Sequence, residues 1–262
     1  MILNIADAGE GQPIVLLHGL FGRSQNLGAL ARRLAARARV ISMDLRNHGA
    51  SLHAPGMDYT TLASDVMETL SALSIPQAAL LGHSMGGKTA MAAALMAPSR
   101  VSRLLVSDIA PIAYDHHNLE IATGLQTIPL HAGLTRAEAG AALQRFVPDP
   151  NVRAFLLQNL QLAIKPFWRI GLKEIADSIP AIESFPAFPP GTQYAGPALF
   201  VAGANSDYVP PSAHAVIKSL FPEAAFATIQ DAGHWIHADQ PEAFGALAEA
   251  FLLNGAPTNP KP

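Results

Sequence analysis

The sequence predicts an α/β fold: a mostly parallel central sheet with helices on both faces and one inserted helical cap. Three observations predict it. Short apolar runs alternate with amphipathic stretches over most of the chain, the pattern of strands and covering helices. A serine flanked by glycines, Gly82-His83-Ser84-Met85-Gly86, stands directly between an apolar run and a helical one. The alternation lapses once, from Pro111 to about Ala195, a length too great for an unstructured connection.

Taken in order, strands are expected at 14–17, 40–43, 79–81, 104–107, 199–202 and 225–229, with 2–5 as an added edge strand. Helices are expected near 25–37, 60–74, 85–96, 212–220 and 241–253. In the second, Leu62, Val66, Leu70 and Leu73 recur at helical spacing and form one buried stripe. In the last, Pro241 suits the first helical position, and Phe244, Leu247, Phe251 and Leu252 supply the inward face. The lapse holds only helical pieces, near 115–128, 135–146, 151–163 and 166–178, with no strand. It returns through the stiff Phe185-Pro186-Ala187-Phe188-Pro189-Pro190-Gly191. Lying between two strands, it is expected over the C-terminal edge of the sheet, where open α/β folds bind ligands. The expected organisation is a core of 1–111 and 196–253, a cap of 112–195 and a disordered tail of 254–262.

Composition narrows the function. The 262 residues are 50% apolar and 14% charged, so a sizeable core forms and global disorder is excluded. A net charge of -3 supplies no basic field for nucleic acid or an anionic membrane surface. The chain has no cysteine, which removes disulfides, thiolate catalysis and cysteine metal sites together. The first residues lack the charged start and long apolar stretch of a secretory signal. No run approaches the roughly 20 apolar residues of a membrane helix. A soluble, cytoplasmic protein is expected.

The chemistry gathers around Ser84. A serine on a strand-to-helix turn needs small residues two positions to either side, because side chains there collide as the backbone reverses. The turn puts it at a helix N-terminus, where free N–H groups favour developing negative charge. Serine is a poor nucleophile unaided, so it needs a base, and the base needs an orienting acid. His234, in Asp231-Ala232-Gly233-His234-Trp235, follows the last strand on a glycine turn and is the candidate base. Of the other histidines, His18 and His83 are expected to be structural, and His116 and His117 to be solvated or packed in the cap. The His234/His237 pair meets no matching carboxylate-and-histidine set elsewhere, so no metal is expected. The oxyanion of an attacked carbonyl needs preorganised donors. One is the Met85 N–H; the other comes from His18-Gly19-Leu20-Phe21-Gly22, with Leu20 favoured and Phe21 the alternative. The orienting acid has two candidates, Asp108 and Asp207.

These motifs, with Asp44-Leu45-Arg46-Asn47-His48-Gly49, Gly86-Gly87-Lys88, Asp108-Ile109-Ala110-Pro111 and Gly233-His234-Trp235-Ile236-His237, resemble the α/β-hydrolase superfamily. Within it they are most similar to the YbfF-type esterases and their mitochondrial abhydrolase relatives. The likeness covers the chain before and after the cap and is weakest through it. It implies hydrolysis of carboxylic esters or thioesters without a cofactor, on a small-molecule substrate. It also favours Asp108 over Asp207, because Asp-Ile-Ala-Pro belongs to the subfamily signature.

The expected reaction is acyl transfer to water through a covalent serine ester. A dehalogenase is disfavoured, since that chemistry uses a carboxylate where Ser84 stands. Perhydrolysis or carbon–carbon bond hydrolysis at the same site, and a non-enzymatic ligand-binding module, are the alternatives. Asp44 and Arg46 are expected in a structural ion pair and turn, and Lys88 to balance a buried carboxylate. Trp235, beside the base, either packs in the core or gates an acyl pocket, and is assigned to substrate binding.

Overall fold

The computed structural model describes residues 1–114 and 117–254. The chain forms β1 (Asn4–Ala8), β2 (Pro13–Leu17), α1 (Gly28–Ala35), β3 (Arg39–Asp44), α2 (Tyr59–Ala72), β4 (Ala78–His83), α3 (Met85–Met96) and β5 (Val101–Ser107). After the insertion come β8 (Ala198–Gly203), α8 (His214–Leu220), β9 (Ala224–Ile229), α9 (Ile236–Asp239) and α10 (Pro241–Asn254). Seven strands make one sheet in the order β1-β3-β2-β4-β5-β8-β9. Only β1 runs antiparallel; it pairs with β3 from Asn4 opposite Asp44 to Ala8 opposite Val40. The edge strand therefore lies two to three residues later than expected, because the Leu3 N–H goes instead to Thr69 Oγ1 of α2 at 2.9 Å.

Strand periodicity divides the core. Along β2, Val15 and Leu17 point to the face packed by α2 and α3, while Ile14 and Leu16 join the opposite cluster with Leu30 and Leu34 of α1 and Phe244 and Phe251 of α10. Both faces are covered, so the central strands are continuously apolar rather than alternating. Helix α3 is buried from Met85 to Leu95, wedged between the sheet and α2; its run of alanines lets α2 come close.

The insertion contains α4 (Asn118–Gln126), α5 (Arg136–Leu143), α6 (Pro150–Leu157), β6 (Leu160–Gln161), β7 (Phe167–Trp168) and α7 (Leu172–Glu183). Its caps are local and strong. Thr135 and Glu138 form a reciprocal capping box on α5, and the Asp149 carboxylate accepts from the Asn151 and Val152 N–H groups ahead of α6. The expectation of an all-helical insertion is corrected by the β6–β7 ribbon, which replaces the ends of two expected helices. Pro166 explains it: proline supplies no N–H and disfavours helix at the residue before it. The ribbon is closed by the Arg169 N–H donating to the Asn159 carbonyl at 2.9 Å. The expected helix near 166–178 accordingly starts at Leu172. His116 and 255–262 of the expected tail lie outside the described residues, and Asn254 ends α10. No helix among the described residues is long and apolar enough to cross a membrane.

Candidate active site

Ser84 sits between β4 and α3 with φ 53° and ψ -121°, a left-handed conformation costly for a residue with a Cβ. Neighbouring glycines permit it. A Cβ at Gly82 would overlap the Gly86 carbonyl, and one at Gly86 would overlap the Leu17 carbonyl. A Cβ on Gly19 would come within 3.3 Å of the Ser84 Cβ, so the 18–22 loop is held against the serine. The Ser84 N–H donates to Ser107 at 3.0 Å, tying the turn to β5.

Asp108 follows β5, is fully buried and also has positive φ. Its Oδ1 accepts from the Gly203 N–H at 2.9 Å, and its Oδ2 accepts from the Ser206 hydroxyl and from His234 Nδ1, the latter at 2.8 Å. That bond fixes the imidazole with Nδ1–H toward the carboxylate and leaves Nε2 for another partner. Asp207, the alternative, is exposed, and no hydrogen bond joins it to His234. His234 is held from two further directions. The buried His83 donates from Nε2 to the His234 carbonyl at 2.8 Å, and the Tyr208 ring stacks on the imidazole at 3.7 Å. Burial drives His83 well below the ordinary histidine range and raises Tyr208 to about 12, so both stay neutral.

The two loop candidates separate cleanly. The Phe21 N–H donates to His48 Nε2 at 3.0 Å and is committed there. The Leu20 and Met85 N–H groups have no such tertiary partner among the described residues, and both residues line the cavity that holds Ser84. His18 and His48 build this loop: each donates from Nδ1 to a carbonyl and accepts an N–H at Nε2, His18 from Leu45 at 3.0 Å. Burial lowers both, His48 to about 3.

The cavity is about 220 Å³ and brings Ser84, His234 and Trp235 together with Phe155 and Ile121 of the insertion. Trp235 is half-buried at the start of α9, its ring 5.9 Å from Phe155 of α6 and outside both core clusters. Lys88 differs from expectation: it is buried, yet no carboxylate lies within ion-pair distance among the described residues. Its ammonium donates to the Ser184 carbonyl at 2.6 Å and faces the Tyr114 ring at 4.7 Å; burial lowers it to about 7. Arg46 pairs with Asp65 at 2.8 Å, while Asp44 accepts from the Ser24 and Ala50 N–H groups and organises the turn. His117 is exposed beside Glu120. His237 packs edge-on against His83, and no group of three metal-ligating side chains is found among the described residues. Ser206 and Tyr208 escaped sequence reasoning although they flank Asp207; the signal was the same loop, read one residue to the side.

A family model described as alpha/beta hydrolase fold matches residues 12–241. The chain belongs to the α/β-hydrolase family. Among hydrolase relatives, the esterase YbfF of Escherichia coli (strain K12) is 38% identical over 96% of this chain and 99% of its own length. The sn-1-specific diacylglycerol lipase ABHD11 of Mus musculus is 37% identical over 95% of this chain and 84% of its own. The solved structure of a marine microorganism esterase superposes with a TM-score of 0.92 at 35% identity, over 96% of this chain and 99% of that one.

Proposed function

We infer that the protein is a carboxylic ester hydrolase acting through Ser84, His234 and Asp108. Relatives named esterase and lipase support the ester substrate. The observation that carries the mechanism is the 2.8 Å bond from His234 Nδ1 to a fully buried Asp108, in a cavity shared with a strained Ser84. His234 Nε2 takes the Ser84 proton as Oγ attacks the carbonyl carbon. The oxyanion accepts from the Leu20 and Met85 N–H groups, the latter at the N-terminus of α3. His234 then gives its proton to the leaving alcohol or thiol, and the C–O or C–S bond breaks. Water, deprotonated by the same His234, attacks the acyl-enzyme and frees the acid and Ser84.

The 112–195 insertion acts in this reading as a cap, whose Ile121, Val152, Phe155 and Leu156 keep the acyl side dry. Trp235 bounds the same side and meets Phe155. Turnover of p-nitrophenyl butyrate tests the assignment. Ser84→Ala is expected to lower kcat by roughly 10⁶-fold with an unchanged circular dichroism spectrum. Retained turnover in the folded variant contradicts it.

A further inference from the structure

We propose that a second cavity, on the far side of α6 from Ser84, binds a diphosphate-type anion through Arg23, Arg136, Arg153 and Arg169. This cavity is about 540 Å³, and no aspartate or glutamate lines it among the described residues. Arg33, Arg37, Arg39 and Arg46 each hold an ion pair; these four, like Arg32, Arg100, Arg103 and Arg145, hold none among the described residues, and here four such arginines line one cavity.

Their hydrogen bonds show fixed but uncompensated charge. Arg136 donates to the Leu157 and Leu160 carbonyls, and Arg153 donates to those of Val147 and Pro148 at 2.8 and 2.6 Å. Such bonds aim a guanidinium without neutralising it. Arg23 Nε is buried with no hydrogen-bond partner among the described residues, and a buried unmade bond of a charged donor is costly. Four cations around one hollow repel one another until an anion enters. Guanidinium forks match phosphate oxygens two at a time, and several forks suit a group carrying more than one phosphate.

The position links this hollow to the active-site side. Val152, Phe155 and Leu156 of α6 face the Ser84 cavity, while Arg153, Ala154 and Leu157 face the arginines. Arg23 directly follows the 18–22 loop, and the buried Asn159 donates to the Phe21 carbonyl at 2.7 Å, joining the two walls. The anion has two sources, a free diphosphate ligand or the phosphorylated leaving group of an ester or thioester. Binding itself is independent of the proposed hydrolysis; only the leaving-group source rests on it.

The test is calorimetric titration with inorganic pyrophosphate at low ionic strength, for wild type, Ser84→Ala, Arg169→Gln, the double variant Arg23→Gln/Arg169→Gln, and Arg145→Gln outside the cavity. Wild type, Ser84→Ala and Arg145→Gln are expected to bind alike, with Kd weakened at least about tenfold in both cavity variants. The Arg169 side chain makes no hydrogen bond among the described residues, so Arg169→Gln keeps the test open if the double variant fails to fold. Absence of binding at about 1 mM, or equal Kd in wild type and folded cavity variants, overturns the proposal. The sources separate kinetically. If kcat/KM for a thioester with a phosphorylated leaving group falls in Arg169→Gln while that of an unphosphorylated analogue holds, the anion is the leaving group; if neither changes while pyrophosphate binding is lost, it is a free ligand. Loss of hydrolysis in Ser84→Ala with pyrophosphate binding intact keeps the two readings distinguishable.

Discussion

Asp108 is placed by three contacts from two segments: the Gly203 N–H and the Ser206 hydroxyl at the end of β8, and the His234 ring. Removing its charge while keeping its shape leaves the imidazole free to turn or change tautomer. Asp108→Asn is therefore expected to lower kcat by about 10⁴-fold, and Asp207→Asn to leave it nearly unchanged. The reverse ranking, in ester hydrolysis by folded variants, contradicts the assignment. Residue scale is also where reading the sequence succeeds and stops. The need for glycine at 82 and 86 is local steric chemistry, so Ser84 was legible as an exposed serine on a turn. The choice between two aspartates at strand ends depends on partners 95 to 126 residues away, and only the family signature favoured Asp108. The Phe21 N–H was equally ambiguous, because the histidine that claims it lies 27 residues on.

At the scale of elements, the α6 wall and the start of α9 meet through Phe155 and Trp235. In the proposed reading, an indole spanning that seam limits how far an acyl chain extends beneath the insertion. Trp235→Ala is expected to shift preference toward longer chains, by about fourfold in kcat/KM for each newly buried methylene, from roughly 0.8 kcal/mol per CH₂. A p-nitrophenyl ester series from C2 to C12, with the melting temperature alongside, measures it. A uniform loss across the series with a lower Tm would instead make Trp235 a packing residue. The core strands and helices of the sheet were readable from periodicity, since burial on one or both faces writes itself into the order of side chains. The β6–β7 ribbon was not: apolar residues between Leu160 and Trp168 fit helical spacing, and its hydrogen bonds come only when the chain bends at 163–165, ahead of Pro166.

Across the whole molecule, the loop beside Ser84 and the turn carrying His234 are braced by histidines kept neutral in the interior. His18, His48 and His83 are all lowered by burial, His48 to about 3. In the unfolded chain each takes up a proton near pH 6.5, so between that pH and the folded value the unfolded state binds more protons. Stability is thus expected to fall as pH drops below about 6.5, with each such histidine adding up to about 1.4 kcal/mol per pH unit. Urea unfolding at several pH values, compared with His48→Gln, reads this: the variant keeps an acceptor for the Phe21 N–H and should lose stability less steeply. Parallel curves would mean that His48 is not held neutral. In the proposed mechanism these braces serve one end, an activated Ser84, and a fluorophosphonate tests that end most directly. After incubation, intact and peptide mass spectrometry should find one covalent adduct, on the peptide carrying Ser84, and none in His234→Ala within the same time. Labelling of a different serine, or an unmodified protein that still hydrolyses p-nitrophenyl butyrate in the presence of the phosphonate, would contradict the account.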